Sequence, residues 1–185
     1  MKKESTHDRI LEQTLTLIRQ QGYQNITLRQ LTAQLNVTTG AFYKAFKDKE
    51  ELYYQAWLLE SKRQDERWQA AYLSQIESPL DGLWTIGLFF LSEYESDTKM
   101  MDFLFFNPVA IKTYRQGLLL AVGERAVAYI ETLPIAEAEE KQRLLLKLNA
   151  FISGYGHFIS SGVETFDEAV YRSLFEDILG GYRYD

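Results

Sequence analysis

Thr38, Thr39, Gly40 and Ala41 stand just ahead of Tyr43, Lys44, Lys47 and Lys49. If the first four form the opening turn of a helix, no bulky side chain separates its backbone from a partner surface. The phenol and three ammonium groups behind them are donors suited to phosphate oxygens. Phe42 and Phe46, four residues apart, fall on one face and can anchor the helix to a core. This chemistry is recognition of a polyanion.

The elements that must hold this stretch lie within residues 27–52. Thr27 is a good N-cap, and Gln30 three residues later completes a capping-box pattern. Ile26 and Leu31 stand at hydrophobic-staple positions, and Leu28, Leu31 and Leu35 form an apolar stripe. Asn36 tolerates positive φ and can make a corner. Thr38 then caps a second helix over 39–46, and Asp48 with Glu51 forms a capping box for a third. Two short helices joined by a tight turn are the helix-turn-helix arrangement, in which the second helix enters the major groove of DNA. Without further support, such a pair is equally a corner of any helical protein.

Charge distribution bears on that choice. The net charge is −6, which alone argues against a nucleic acid. Yet the first 49 residues hold eight basic residues (Lys2, Lys3, Arg9, Arg19, Arg29, Lys44, Lys47, Lys49) against four acidic ones (Glu4, Asp8, Glu12, Asp48). That segment nets +4 and the remainder −10. A basic head on an acidic body is oriented by a polyanion, the head attracted and the body repelled.

At this point the chain resembles a known family. Arg9-Ile10-Leu11, Gly22-Tyr23, Thr27-Leu28-Arg29, Leu35-Asn36-Val37, Gly40 through Phe46 and Lys47 through Leu52 are similar, in order, to the N-terminal domain of the TetR (tetracycline-repressor) family. The chain departs from its pattern in two places: Leu-Asn-Val replaces the usual Ala-Gly-Val at the turn, and Thr39 stands where Lys is frequent. The resemblance implies an all-α homodimer that binds a double-stranded DNA operator, a repressor released when a small molecule occupies the C-terminal domain. On that reading Tyr43, Lys44, Lys47 and Lys49 grip phosphates, joined by Thr27. Arg29, Thr38, Thr39, Gly40 and Ala41 lie nearest the base edges.

The rest of the chain is consistent with a helical body. Residues 8–21 read as a first helix that Gly22 stops. A helix from 49 to about 72 follows, with no Gly or Pro before Pro79. Ser78-Pro79-Leu80-Asp81 is a strong helix start, and the helix it opens, to about residue 94, is apolar almost all round, so it must be surrounded. Gly82 and Gly87 thin it for a close neighbour or a cavity. Residues 97–106 read as a short helix, and Asn107 with Pro108 opens another running to about Leu133. Residues 137–161 and 167–179 form a final pair. The expected division is residues 1–52 for the head, with the linking helix running on to about 73, and 53–185 for a ligand-binding and dimerisation domain.

Phe89, Phe90, Tyr94, Phe103, Phe106, Tyr114 and His157 are candidates to wall a ligand pocket, because such sites are lined by rings with a few polar tips. Aromatics at helical spacing are more often plain core, and His157 reads first as a satisfied core histidine and second as a pocket hydrogen-bond donor. Ala150, Ser153, Gly154 and Ser161, with Tyr171, Leu174, Phe175 and Ile178, are candidates for a dimer interface, a role the resemblance assigns to the last two helices. An intramolecular helix hairpin is the alternative.

Catalytic constellations are absent from the sequence. There is no Cys, and of the two histidines His7 sits in an expected frayed terminus while His157 has no Asp or Glu three or four residues away. Gly154-Tyr155-Gly156 begins like a dinucleotide fingerprint but lacks its third glycine and a preceding strand. No enzyme activity, cofactor or metal is expected. No signal peptide or membrane span is read, so the expected location is cytoplasmic. The competing class is a helical ligand-binding or adaptor protein that never touches DNA. The basic head separates the two.

Overall fold

The computed structural model describes residues 5–180. Lys2, Lys3 and Glu4 of the basic head lie outside the described residues. Among those described, the regular structure is all helical, with no strand. The helices are α1 (Thr6–Gln21), α2 (Leu28–Leu35), α3 (Thr39–Ala45), α4 (Lys49–Tyr72), α5 (Pro79–Ser96), α6 (Thr98–Phe106), α7 (Pro108–Arg115), α8 (Ala121–Thr132), α9 (Ala138–Ser160) and α10 (Glu168–Gly180). Short 3-10 turns stand at Tyr23–Asn25 and Leu73–Gln75. No described helix is long and apolar enough to cross a membrane.

Local signals account for most boundaries. The Ser5 hydroxyl accepts from Asp8 N, and Gly22 ends α1 at φ 80°. Ser78 and Asp81 close a reciprocal capping box with Pro79 at the first turn of α5. The buried Asn107 side chain accepts from Val109 N (2.7 Å) and Ala110 N (3.1 Å), which starts α7. One expected helix, from Pro108 to Leu133, is two. Gly117 takes φ 78°, its N–H donates to Tyr114 O, and Leu118 N–H donates to Thr113 O. That pair of bonds is a Schellman stop, which needs a left-handed residue where glycine alone adds no Cβ penalty.

The packing divides the chain into two compact units, and the division is not contiguous. The first comprises residues 5–63 with 99–120; the second comprises 64–98 with 121–180. The expected boundary at 52/53 therefore differs from the packing in two ways. The first unit keeps α4 as far as Arg63, and it takes in α6 and α7. Trp57 shows why: its buried indole N–H donates to Leu104 O of α6 (2.9 Å).

In the first unit α1 packs on both α2 and α3. Ile10, Leu15, Ile18, Leu31, Phe42 and Phe46 are buried there. Two ion pairs fasten α1 to α4. Arg63 meets Glu12 through two hydrogen bonds (2.9 and 2.5 Å), and Arg19 reaches Glu60, whose side chain is wholly buried (2.7 Å). His7, expected to fray, is anchored: its ring stacks on Phe46 at 4.6 Å and is hydrogen-bonded to Gln55 (2.7 Å).

In the second unit α5 is the central helix, packed on α8 and α9, with α10 against α9. Its thin places are filled by rings. A Cβ on Gly82 would meet Tyr129, and one on Gly87 would meet Tyr171, so the glycines admit close neighbours. Tyr171 is fully buried, donates to Trp84 O (3.0 Å) and stacks on the Trp84 ring. Arg125 forks onto Asp65 and lies 5.2 Å from the centre of the Trp68 ring.

Candidate nucleic-acid interface

The turn between α2 and α3 forms as its residues dictate. Asn36 is the one non-glycine residue with positive φ among those described (φ 52°, ψ 43°). Its N–H donates to Ala33 O, and Val37 N–H donates to Thr32 O (3.0 Å), so α2 ends in a Schellman stop with asparagine in place of glycine. Thr27 Oγ1 accepts from Gln30 N (3.2 Å), and Thr38 Oγ1 accepts from Ala41 N (3.1 Å). A hydroxyl that accepts a cap bond still carries its own proton. Both threonines are exposed, so each can donate outward while capping its helix.

Two of the expected capping boxes close differently. The Gln30 side chain bonds Gln21 Oε1 (3.0 Å) instead of returning to Thr27, which ties α2 to the end of α1. Asp48 Oδ1 does accept from Glu51 N (2.8 Å), but the Glu51 carboxylate accepts from Lys47 N (2.6 Å), one residue earlier than expected.

Around this frame the expected DNA-facing residues are at the surface. Thr27, Arg29, Thr38, Thr39, Gly40, Lys44 and Lys47 are exposed, and Ala41 is half-buried. Tyr43 is 57% exposed, an unusual degree for a phenol that no core requirement puts there. Phe42 and Phe46 are buried and fix the roll of α3 about its axis. A Cβ on Gly40 would meet only its own cap, Thr38, so the approach to the start of α3 is open.

Lys49 is exposed as well, but its ammonium is already engaged. Its Nζ donates to Ile26 O (2.6 Å) and lies 4.9 Å from the centre of the Tyr53 ring. Partial burial holds its pKa below the usual lysine value. Lys112, which sequence reading left out, pairs with Glu50 in the same unit (2.7 Å). Nothing local marks that pair, because its partners are far apart in the chain.

The other expected groups divide as follows. Of the pocket candidates, Phe89, Phe90, Tyr94 and His157 belong to the second unit, and Phe103, Phe106 and Tyr114 to the first. Phe89, Phe90 and Tyr94 are buried, but His157 is exposed, so it is neither a core histidine nor turned inward with them. Its neighbour Gly156 faces the Tyr94 ring, and one helical step turns the next residue about 100° away. Phe103 is buried among the rings of Tyr23 and Tyr53, Tyr114 is half-buried, and Phe106 is 45% exposed. Of the interface candidates, Ala150, Gly154, Ser161 and Leu174 are exposed, and Ser153 and Ile178 are half-buried. Tyr171 and Phe175 are buried within their own unit against Trp84, not on the outward face expected for them.

No curated protein sequence matches the chain. Residues 10–56 match the sequence model of a family described as bacterial regulatory proteins, tetR family. Those residues run from the first core position of α1 through α2, the Asn36 turn, α3 and the first two turns of α4. A capped helix-turn-helix with an exposed, cationic second helix, matched over that whole span, identifies residues 10–56 of this chain as the DNA-binding domain of the bacterial tetR-family regulators.

Proposed function

We propose that the chain is a ligand-responsive repressor that binds a near-palindromic operator as a homodimer. The observation that carries this reading is the exposed start of α3, where small residues lead and Tyr43, Lys44 and Lys47 follow. One such helix covers only a few base pairs, so a useful operator needs two heads. Their centres would lie about 34 Å apart, one turn of duplex. Tyr43, Lys44, Lys47 and the Thr27 hydroxyl grip phosphates. Arg29, Thr38, Thr39 and Ala41 stand at the base edges.

The outward face of α9 and α10 supports pairing of two copies. It exposes Phe158 (51%), Val170 (43%) and Leu174 (38%) beside a groove of about 540 Å³ lined by Ala150, Gly154 and Tyr155 among others. Gly154 meets nothing within 4 Å in its own chain, so a neighbour can come close. The regulating ligand would be a small molecule held in the second unit, where Phe89, Phe90 and Tyr94 are the aromatic residues nearest to that role. It acts only through different affinities for the DNA-competent and DNA-incompetent states.

The test is a gel shift on the protein's own upstream DNA at two salt concentrations, followed by a small-molecule thermal-shift screen read against DNA release. Salt-sensitive binding with release by a stabilising compound is the expected result. A protein that binds compounds but retards no duplex at either salt would be an adaptor of the kind the sequence also allowed.

A further inference from the structure

Two residues one turn apart on α4 reach back to the two ends of the connection between α1 and α2. Lys49 Nζ donates to Ile26 O (2.6 Å), and Tyr53 Oη donates to Tyr23 O (2.6 Å). Tyr23 opens the 3-10 turn Tyr23–Asn25, and Ile26 immediately precedes Thr27, the cap of α2. The two carbonyls therefore bracket the whole turn that delivers the chain into the helix-turn-helix.

The two donors also hold each other in place. The Lys49 ammonium sits over the Tyr53 ring, where the ring quadrupole attracts it. The Tyr53 ring is packed edge-on against Tyr23 (6.4 Å, 84°) and Phe103 (5.6 Å, 82°), and the residue is only 6% exposed. Its hydroxyl thus has one direction available. Ile26 is buried, so its carbonyl gains from a fixed protein donor. To reach a phosphate, Lys49 would have to trade part of this arrangement for a contact in solvent.

We propose that Lys49 serves DNA binding as a positioning residue: with Tyr53 it forms a two-point clamp on the α1–α2 connection, setting the angle of α2 instead of gripping a phosphate. The cationic grip then falls to the exposed Lys44 and Lys47; Lys49 is exposed as a residue too, but its ammonium is committed to Ile26 O. The clamp draws on α4, so the start of α2 depends on a helix outside the motif it opens.

The salt dependence of DNA binding separates the two roles, because a phosphate contact releases a counterion and a positioning bond does not. The probe is a duplex enriched from a random-sequence pool by the wild-type protein. Lys49→Met should bind it about tenfold more weakly at every salt concentration, in parallel with wild type. Lys44→Ala in the same series should lower the slope by about one. Tyr53→Phe keeps every charge and the ring, and should also weaken binding with an unchanged slope. The double variant should lose less than the product of the two single losses, since both bonds hold one turn. A slope lowered by about one in Lys49→Met would overturn the proposal in favour of a phosphate contact. Full affinity in both single variants, or a strictly multiplicative double loss, would overturn it as well. Should Lys49→Met fail to fold by thermal melting, the Tyr53→Phe affinity still decides whether the clamp matters.

Discussion

Gly156 and Tyr94 share one space. A Cβ built on Gly156 would come within 2.2 Å of the Tyr94 ring, which is fully buried against α9. Two residues earlier, a Cβ on Gly154 would meet nothing within 4 Å. The same substitution on one helix therefore has opposite expected signs. Gly156→Ala forces the ring or the helix to move and should cost about 1–3 kcal/mol in urea unfolding. Gly154→Ala removes backbone freedom from the unfolded chain and, measured on the single copy at dilution below self-association, should be neutral or stabilising by up to about 1 kcal/mol. Equal effects at the two positions would mean that Tyr94 does not fill the space beside Gly156.

Lys44 and Lys47 stand exposed at the end of α3 and just beyond it. Replacing either with Ala should weaken binding to specific and random duplexes alike, and reduce the salt slope by about one per lost contact. Fluorescence-anisotropy titrations over a salt series measure this directly. A loss confined to the specific site would move that lysine from the phosphates to the bases.

The α9–α10 face should hold a second copy of the chain. Leu174→Glu and Phe158→Glu place a charge among exposed apolar groups and should weaken self-association by roughly 30-fold each, as for a modest interface hot spot. Leu73→Glu is the control, since Leu73 is 47% exposed on a 3-10 turn outside both helices. Sedimentation equilibrium reads all three. Wild-type protein that sediments as one copy, or pairing unaffected by Leu174→Glu, would end this assignment.

Alkaline pH should destabilise the fold through its buried phenols. Burial raises Tyr53 and Tyr171 above the usual tyrosine value and pushes Tyr114 up to about 12. In the unfolded chain these groups lose their protons near pH 10, while in the fold they keep them. Above pH 10 the unfolded state thus binds fewer protons, so stability is complete below pH 10 and declines as pH rises. The limit is about 1.4 kcal/mol per pH unit for each phenol. Tyr114→Phe should make the decline between pH 10 and pH 12 shallower in denaturant melts at fixed temperature. An unaltered decline would show that Tyr114 ionises alike in both states.

Much of this fold was legible because its signals are short-range. Ser78 with Pro79 and Asp81, Asn107 with Pro108, and Thr38 each satisfy orphan helix donors within three residues, so their meaning does not depend on the rest of the chain. Asn36 reads as a corner for the same reason. Gly117 carried an equally local signal, and reading straight through it produced one helix where there are two.

What lay beyond the sequence are the choices among partners. Lys49 is a cation at the edge of a DNA-binding motif, and its type and spacing fit a phosphate contact. Its distance to the Ile26 carbonyl, set by how α4 packs, commits its ammonium to the protein although the residue is exposed. Gln30 faces both Thr27 and Gln21, and only the packing of α2 on α1 selects Gln21. Tyr171 and Leu174 lie on the same apolar stripe of α10, yet Trp84 takes the first and leaves the second exposed. A helix cap closes within one turn of its own chain, so residue order determines it. A side chain that can satisfy itself in several places goes where the tertiary fold brings the partner that best replaces water.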